Sequence, residues 1–260
     1  MKLSRIYNEL VNREWAGNKD TYGSKLSADT VLNYFGDNTD IRSLDYNKLC
    51  GFVEYLRKQG KSGSTINRKL AALSKMYTVA RRHDPKIMRP EIPRQKEGKP
   101  RQRVLTDGEA KALVSYEWTM PEHKSLTVLL MDTGVRPGEI TDGEWSVNGD
   151  ELTLRDTKNG EDRTVLLTPE AKDAALFLKG KRVVYDRYYR SFRRACTELG
   201  LEDVMPYTMR HSALTRLAER VDNVLLIQKW AGHRNLNTTQ RYVKATRKGM
   251  EKLADALRRN

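Results

Sequence analysis

The chain has 260 residues, enough for one large domain or two small ones, and its basic residues exceed its acidic residues by 14 charges, with a pI of about 9.7. A balance this basic favours a polyanionic partner such as nucleic acid. No stretch approaches the ~18 apolar residues of a membrane span, and the charged first residues do not read as a secretory signal. The sequence therefore predicts a soluble cytoplasmic protein that does not associate with membranes.

Metal and disulfide chemistry are not indicated. Cys50 and Cys196 are the only cysteines, and they lie far apart without metal-ligand spacing. Free thiols in a reducing compartment are therefore favoured over a disulfide. The chain has no His-x-x-x-His pair and no clustered acidic set, so we expect neither a metal nor another cofactor.

Residues 1–84 predict four short helices packed as a small bundle. Apolar residues at helical spacing mark the first helix within residues 3–15. Ser27 is expected to cap the second helix. The third is expected over residues 45–60, and the fourth starts near Ser64.

A group of cations lies on or just before the fourth helix. Such a row is typical of a solvated surface, but it also suits contacts to DNA phosphates, which position a duplex without reading its sequence. Both interpretations stay open for the four candidate DNA-binding residues, which are Lys61, Arg68, Lys69 and Lys75.

Residues 85–104 differ in composition from the rest, because they hold half of the eight prolines together with seven basic residues. Proline prevents helix continuation and the charges oppose burial. This segment is predicted to be a basic linker between a helical domain, residues 1–84, and a second domain, residues 105–260.

The second domain is predicted to be mostly helical with a small sheet. Thr106 or Asp107 can cap a helix, and an apolar helix ends at Gly134. Residues 144–168 alternate like strands around two turn signals, which predicts a three-stranded antiparallel meander. After Pro169 the pattern is helical to the end. The fold class expected is an all-α bundle followed by a mostly α, α+β domain.

Five residues of the second domain suit metal-free phosphoryl transfer to a tyrosine. Arginine binds two phosphate oxygens at once, so Arg136 and Arg210 can stabilise the charge of a phosphodiester transition state. Tyr242 can attack the phosphorus, and His233 can bind the phosphate or handle the phenolic proton. Lys158, at the tip of the hairpin, can protonate the leaving 5′ oxygen.

Four segments in order resemble the tyrosine recombinases, the integrases of phages and mobile elements. Residues 133–139 resemble the first arginine box, 207–212 the second, 231–233 the Leu-Gly-His box, and 238–242 the nucleophile box. The steps of 23 residues from Arg210 to His233 and 9 residues to Tyr242 also match the family pattern.

The resemblance implies roles for these residues. Arg136, Arg210 and His233 would bind the scissile phosphate, Glu139 would orient the pocket, Lys158 would be the general acid, and Tyr242 would form a 3′-phosphotyrosyl bond without metal or ATP. The enzyme would act on double-stranded DNA attachment sites as a homo-tetramer, with directionality or bending factors as further partners.

Two residues of the second box leave questions. Tyr207 replaces the usual histidine of the family, and a phenol can donate a hydrogen bond but cannot serve as a base at neutral pH. His211 is either a helix core residue or a support for the site.

The last residues carry an apolar stripe of Met250, Leu253, Ala254 and Leu257. This segment is expected to fold as a helix that docks on its own domain or on a neighbouring subunit. No additional arm-binding domain is expected before the first helix.

The biological role that the resemblance implies is integration and excision of a phage or mobile element. The alternatives are Xer-like resolution of chromosome or plasmid dimers and a non-catalytic DNA-binding relative.

Overall fold

The computed structural model describes residues 1–16, 21–98, 103–155, 157, 160–240 and 242. The chain divides into two compact units, Met1–Pro100 and Arg101–Asn260. Within these described ranges, no helix combines the length and the apolar character that crossing a membrane requires.

The first unit is the predicted helical bundle. Its elements are α1 (Leu3–Glu9), which continues into a π-helical turn (Leu10–Glu14), α2 (Tyr22–Phe35), a 3₁₀ turn (Ile41–Ser43), α3 (Tyr46–Lys58) and α4 (Gly63–His83). Phe52 and Tyr77 are fully buried at its centre. The Tyr77 hydroxyl lies within hydrogen-bonding distance of the Ile41 and Leu44 carbonyls, at 3.2 and 2.8 Å, so the core is tied to the loop before α3.

Side-chain caps begin two helices of this unit, close to the starts predicted near Asp45 and Ser64. Asp45 accepts from the Lys48 amide at the start of α3, and Ser62 from the Thr65 amide at the start of α4. The predicted Ser27 cap is wrong, because α2 begins at Tyr22 and Ser27 lies inside it. Its hydroxyl donates to the Gly23 carbonyl at 2.8 Å, the alternative bond that serine makes within a helix.

The first part of the predicted linker packs on the bundle. Ile87 is buried in the core of the first unit, and Ile92 lies against that core. The Asn67 side chain exchanges two hydrogen bonds of 2.8 Å with the Gln95 backbone. The chain therefore stays attached to α4 well past residue 84, because apolar residues placed between the prolines find partners there.

The second unit is mostly helical around a small sheet. Its elements are α5 (Asp107–Ser115), α6 (Pro121–Thr133), α7 (Pro137–Thr141), β1 (Glu144–Asn148), β2 (Glu151–Arg155), β3 (Arg163–Leu166), α8 (Pro169–Leu178), α9 (Tyr185–Glu198), α10 (Pro206–Arg220), α11 (Val224–Ala231) and α12 (Leu236–Gln240). The strands form an antiparallel sheet in the order β1-β2-β3. The predicted meander and the predicted fold class are confirmed.

The core of the second unit surrounds α6. This helix packs against α8 and α10, and it buries Leu126, Leu129 and Leu130. Leu152, Leu154 and Val165 point from the sheet into the same core, as the strand period of two requires. Because α6 and α10 are neighbours, the end of α6 meets the beginning of α10, which is where the candidate site lies.

Candidate active site

Arg136 is placed by the turn that ends α6. Gly134 closes that helix in the left-handed conformation, at φ 66°. A Cβ at Gly134 would lie 3.0 Å from the Cβ of Ala213, so a side chain there would be crowded as well as strained by the left-handed backbone. The Arg136 amide donates to Oε2 of Glu139 at 2.7 Å, and its Nη1 donates to Oε1 at 2.8 Å. Both contacts fix the direction of the guanidinium.

Arg210 lies on α10 and is almost completely buried, with 2% of its surface exposed. It donates to the carbonyls of Gly134 and Ala231, both at 2.7 Å. Desolvation, and then the charge of Arg136, lower the pKa of Arg210 to about 10. The guanidinium therefore stays protonated at neutral pH, and it bridges the end of α6 to the end of α11.

His233 follows the left-handed Gly232 that ends α11, at φ 61°. Its Nε2 lies 3.0 Å from Nη2 of Arg210, and its Nδ1 lies 2.9 Å from Oγ1 of Thr239. A guanidinium has no acceptor, so Nε2 must accept and Nδ1 must carry the proton that is donated to Thr239. In this arrangement the imidazole is neutral, with its proton on Nδ1.

Tyr242 lies beside this histidine in the same chain. Its ring is nearly parallel to that of His233, with centroids 6.2 Å apart and an interplanar angle of 8°. The centroid of the His211 ring lies 4.9 Å from that of Tyr242. Of the two interpretations of His211, the contact favours support for the site.

Glu139 is a buried carboxylate shared by two arginines. Burial alone raises its pKa, but the hydrogen bonds and charge of Arg163, together with Arg136, outweigh this and hold the pKa of Glu139 at about 2. Arg136, Arg163 and Arg210 thus face a single carboxylate, which leaves two positive charges uncompensated among these four groups. A phosphate is the kind of ligand that such a site favours.

Tyr207 and Lys158 are the remaining predicted site residues. Tyr207 lies in the first turn of α10, one turn before Arg210, and 54% of its surface is exposed. Lys158 lies outside the described residues; the sequence places it between β2 and β3.

The candidate DNA-binding cations of the first unit have different environments. Lys61 and Arg68 are exposed, whereas Lys69 is buried and its Nζ donates to Oγ1 of Thr30 at 3.0 Å. Lys75 forms an ion pair with Glu14 at 2.8 Å. Desolvation and the nearby charge of Lys61 lower the pKa of Lys69. Lys61 and Arg68 are therefore the two that present their charge most openly.

Sequence reasoning missed three residues of the site: Arg163, Trp230 and Thr239. Arg163 binds both oxygens of Glu139, and the Trp230 indole donates to the Thr133 carbonyl at 2.8 Å. Thr239 lies within the motif of residues 238–242, so its place beside Tyr242 in the sequence could have marked it as part of the site. An arginine that begins a strand and a tryptophan in an apolar helix give no comparable signal.

The first unit is a helical bundle, and the second is a helical unit with a three-stranded sheet, in which arginines and a histidine lie beside a tyrosine. This fold and this site define a phosphoryl-transfer enzyme of the DNA-rejoining class. Residues 168–248 match the Phage integrase family, and residues 19–84 match the Phage integrase, N-terminal SAM-like domain. The chain belongs to the phage integrase family of tyrosine recombinases, enzymes that cleave and rejoin DNA.

Named relatives span most of the chain. It is 29% identical to tyrosine recombinase XerA of Saccharolobus solfataricus, over 91% of this chain and 87% of the relative. It is 26% identical to tyrosine recombinase XerD of Listeria monocytogenes, over 85% of this chain and 90% of that protein.

Two solved structures share the fold. The Tn1549 transposon integrase in complex with transposon right end DNA has a TM-score of 0.76 at 17% identity, covering 99% of each chain. A lambda integrase dimer bound to a COC′ core site has a TM-score of 0.74 at 14% identity, covering 93% of this chain and 76% of the other.

Proposed function

We propose that the chain is a site-specific recombinase that cleaves and rejoins duplex DNA through a 3′-phosphotyrosyl intermediate at Tyr242. The observation that carries the proposal is the convergence of three distant segments. Arg210 contacts both Gly134 and His233, and the His233 ring lies parallel to that of Tyr242. Phosphate ligands and nucleophile are thus assembled within one chain.

The proposed cleavage step uses each group once. Arg136 and Arg210 bind the non-bridging oxygens and stabilise the negative charge that grows on them. Arg210 turns from Nε2 of His233 to the phosphate, and Nε2 then accepts the proton that leaves the Tyr242 hydroxyl. The tyrosine oxygen bonds to phosphorus as the bond to the 5′ oxygen breaks, and Lys158 supplies that oxygen with a proton.

Tyr207 is proposed to donate a hydrogen bond to the same phosphate. Its exposure and its position one turn before Arg210 support this role. Because a phenol is a neutral single donor, whereas each guanidinium is charged and can bind two phosphate oxygens, the contribution of Tyr207 should be smaller than that of either arginine.

Double-stranded DNA is the proposed substrate, bound by both units. The exposed Lys61, just before α4, and Arg68, on α4, support phosphate contacts from the first unit. The Tn1549 and lambda integrases, which share the fold, were solved with DNA. The net charge of +14 supports binding that weakens steeply as salt rises.

A homo-tetramer on DNA is proposed as the active assembly. A groove of about 1140 Å³ opens beside Arg163 and His233, and its lining includes the apolar Leu217, Val221 and Leu225. Such a groove supports docking of the apolar stripe predicted near the end of the chain, which lies outside the described residues. Removal of residues 243–260 should then preserve DNA binding and reduce the yield of paired DNA complexes.

Integration and excision of a mobile element is the proposed biological role. The fold shared with the Tn1549 integrase supports it, whereas the names of the XerA and XerD relatives favour dimer resolution. The genomic neighbourhood separates the two roles, because an element's recombinase is expected beside its own attachment site. A chain that instead acts on one fixed chromosomal site, with no element around its gene, would be a resolvase.

The decisive experiment uses a duplex with a nick close to the cleavage site, so that the short 5′-hydroxyl fragment diffuses away and religation is prevented. We expect a covalent protein–DNA adduct that survives denaturation and forms in EDTA. Tyr242→Phe should abolish it, whereas Tyr116→Phe, which changes another tyrosine of the same unit, should preserve it. An adduct that persists in Tyr242→Phe would assign the nucleophile elsewhere, and no adduct from the wild-type chain would favour a non-catalytic DNA-binding protein.

A further inference from the structure

Arg163 is a buried arginine at the start of β3, with 8% of its side chain exposed. Its Nη1 and Nη2 donate to the two oxygens of Glu139 at 2.6 and 2.7 Å, and its Nε donates to the Trp230 carbonyl at 3.1 Å. All three nitrogens are therefore bound to protein groups. The protein holds this guanidinium in place as a fixed part of the site, whereas a guanidinium that binds a ligand would have donors left open for it.

Arg163 and Arg136 share one carboxylate and bind carbonyls of the same short segment, Trp230 for Arg163 and Gly232 for Arg136. Both bind Glu139, and Arg136 also donates to the Gly232 carbonyl at 3.3 Å, next to the backbone that Arg163 holds. The Arg163 side chain lies so close to Gly232 that a Cβ there would come within 2.9 Å of Nη1. The direction of the Arg136 fork thus depends on a carboxylate and a backbone segment that Arg163 fixes in place.

We propose that Arg163 is a positioning residue for strand cleavage, which acts through Glu139 to aim Arg136 at the scissile phosphate. The inference rests on the proposed function, because it takes Arg136 as a phosphate ligand. A lysine cannot replace Arg163 fully, since one ammonium cannot reproduce the paired contacts of a planar fork to both carboxylate oxygens.

The first measurement compares single-turnover cleavage by Arg163→Met, Arg163→Lys and the wild-type chain at saturating protein. Loss of one well-placed cationic donor typically slows a reaction by about 10²–10³-fold. We expect the loss of cleavage rate in Arg163→Met to approach the lower end of this range. Arg163→Lys should recover part of the rate. Arg155→Met, which removes an exposed arginine from the neighbouring strand β2, is the matched control and should cleave like the wild-type chain.

The second measurement separates aiming of Arg136 from general loss of structure. A methylphosphonate at the scissile position is neutral, so its transition state needs less cationic stabilisation. The defect of the Arg163 variants should therefore shrink about tenfold or more on this substrate, as expected for a cation–phosphate interaction. A defect of equal size on both substrates would overturn the inference.

A double-mutant cycle tests the route through Glu139. If Arg163 acts through this carboxylate, Arg163→Met should slow cleavage little further in a Glu139→Gln background. Additive losses would overturn the inference. Full recovery of Arg163→Met on a substrate with a bridging 5′ sulfur would also overturn the inference. A sulfur leaving group departs without a proton, so such recovery would mean that Arg163 acts through Lys158.

Failure of the inference and failure of the proposed function give different results. If the wild-type chain forms no Tyr242-dependent adduct, the proposed function is wrong. If it forms the adduct and the Arg163 variants cleave at the wild-type rate, only the inference is wrong. Thermal unfolding establishes whether each variant is folded at the assay temperature. If Arg163→Met is not folded, the cleavage rate of Arg163→Lys is compared with that of the wild-type chain instead.

Discussion

Thr239 contacts both His233 and Tyr242. Its Oγ1 lies 2.9 Å from Nδ1 of His233, and its carbonyl accepts the backbone amide of Tyr242 at 2.9 Å. The side chain itself is completely buried. Thr239 therefore accepts the Nδ1 proton of the tautomer that Arg210 imposes on His233, and it also binds the backbone of Tyr242.

Thr239→Val should slow strand cleavage by about tenfold. Valine has nearly the same shape, but it removes the hydroxyl that accepts the Nδ1 proton of the half-buried His233, and loss of such an acceptor costs about 1–3 kcal/mol. Single-turnover cleavage of the nicked substrate measures the effect. Thr239→Ser keeps the hydroxyl and should retain most of the rate, and Thr238→Val is the control for a neighbouring position. Equal rates for Thr239→Val and the wild-type chain would remove this role.

The parts of the fold that the sequence predicted well are those with local signals. The helix starts near Asp45 and Ser64, the turn at Gly149 and the alternation in β2 each depend on neighbours in the chain. The Ser27 cap failed because a serine hydroxyl bonds equally well to a carbonyl inside a helix. Local preference alone does not select between these two uses.

The site shows a similar limit. The sequence singles out Arg136, Arg210, His233 and Tyr242 because each lies in a short motif with a fixed order, and their roles stay predictions. The motifs say nothing of what holds these residues together, since Arg163 and Trp230 act through contacts between segments far apart in sequence. Such supports become visible only when the tertiary contacts are known.

Gly232→Ala should reduce both stability and cleavage. The left-handed backbone costs a residue with a Cβ about 1–2 kcal/mol, and the added methyl would press on Arg163 at 2.9 Å. Gly149→Ala is a matched control, because Gly149 has nearly the same φ, 62° against 61°, but open space around it. Chemical denaturation should show a loss of stability in both variants, and cleavage per folded molecule should fall only in Gly232→Ala. An equal fall in both would show that the contact with Arg163 is unimportant.

Lys61→Ala and Arg68→Ala should each weaken DNA binding in a salt-dependent way. Every lost phosphate contact lowers the slope of log affinity against log salt by about one. Lys75→Ala should change the slope less, because Lys75 already pairs with Glu14 at 2.8 Å. Fluorescence anisotropy at several salt concentrations gives the slopes. The assignment to DNA contacts would fail if Lys61→Ala and Arg68→Ala left the slope unchanged.

His123 should make the second unit sensitive to mild acid. The side chain is 2% exposed, and its ring meets that of Tyr188 at 5.6 Å. Among the described residues, its Nδ1 has no hydrogen-bond partner. Desolvation lowers the pKa of His123; the charge of Arg187 acts in the same direction, whereas that of Glu122 opposes it.

The sign of the pH effect follows from this lowered pKa. Below the unfolded-state value of ~6.5, the unfolded chain binds a proton that the folded chain resists, so the free energy of unfolding falls as the pH decreases through that value. His123→Phe keeps an aromatic ring in the core and removes the titrating group, so its stability should depend less on pH in this range. Denaturant titrations from neutral to mildly acidic pH measure the difference. His83→Phe, which changes an exposed histidine of the first unit, should leave the acid sensitivity of the second unit in place; a wild-type slope in His123→Phe would mean that another group causes the loss.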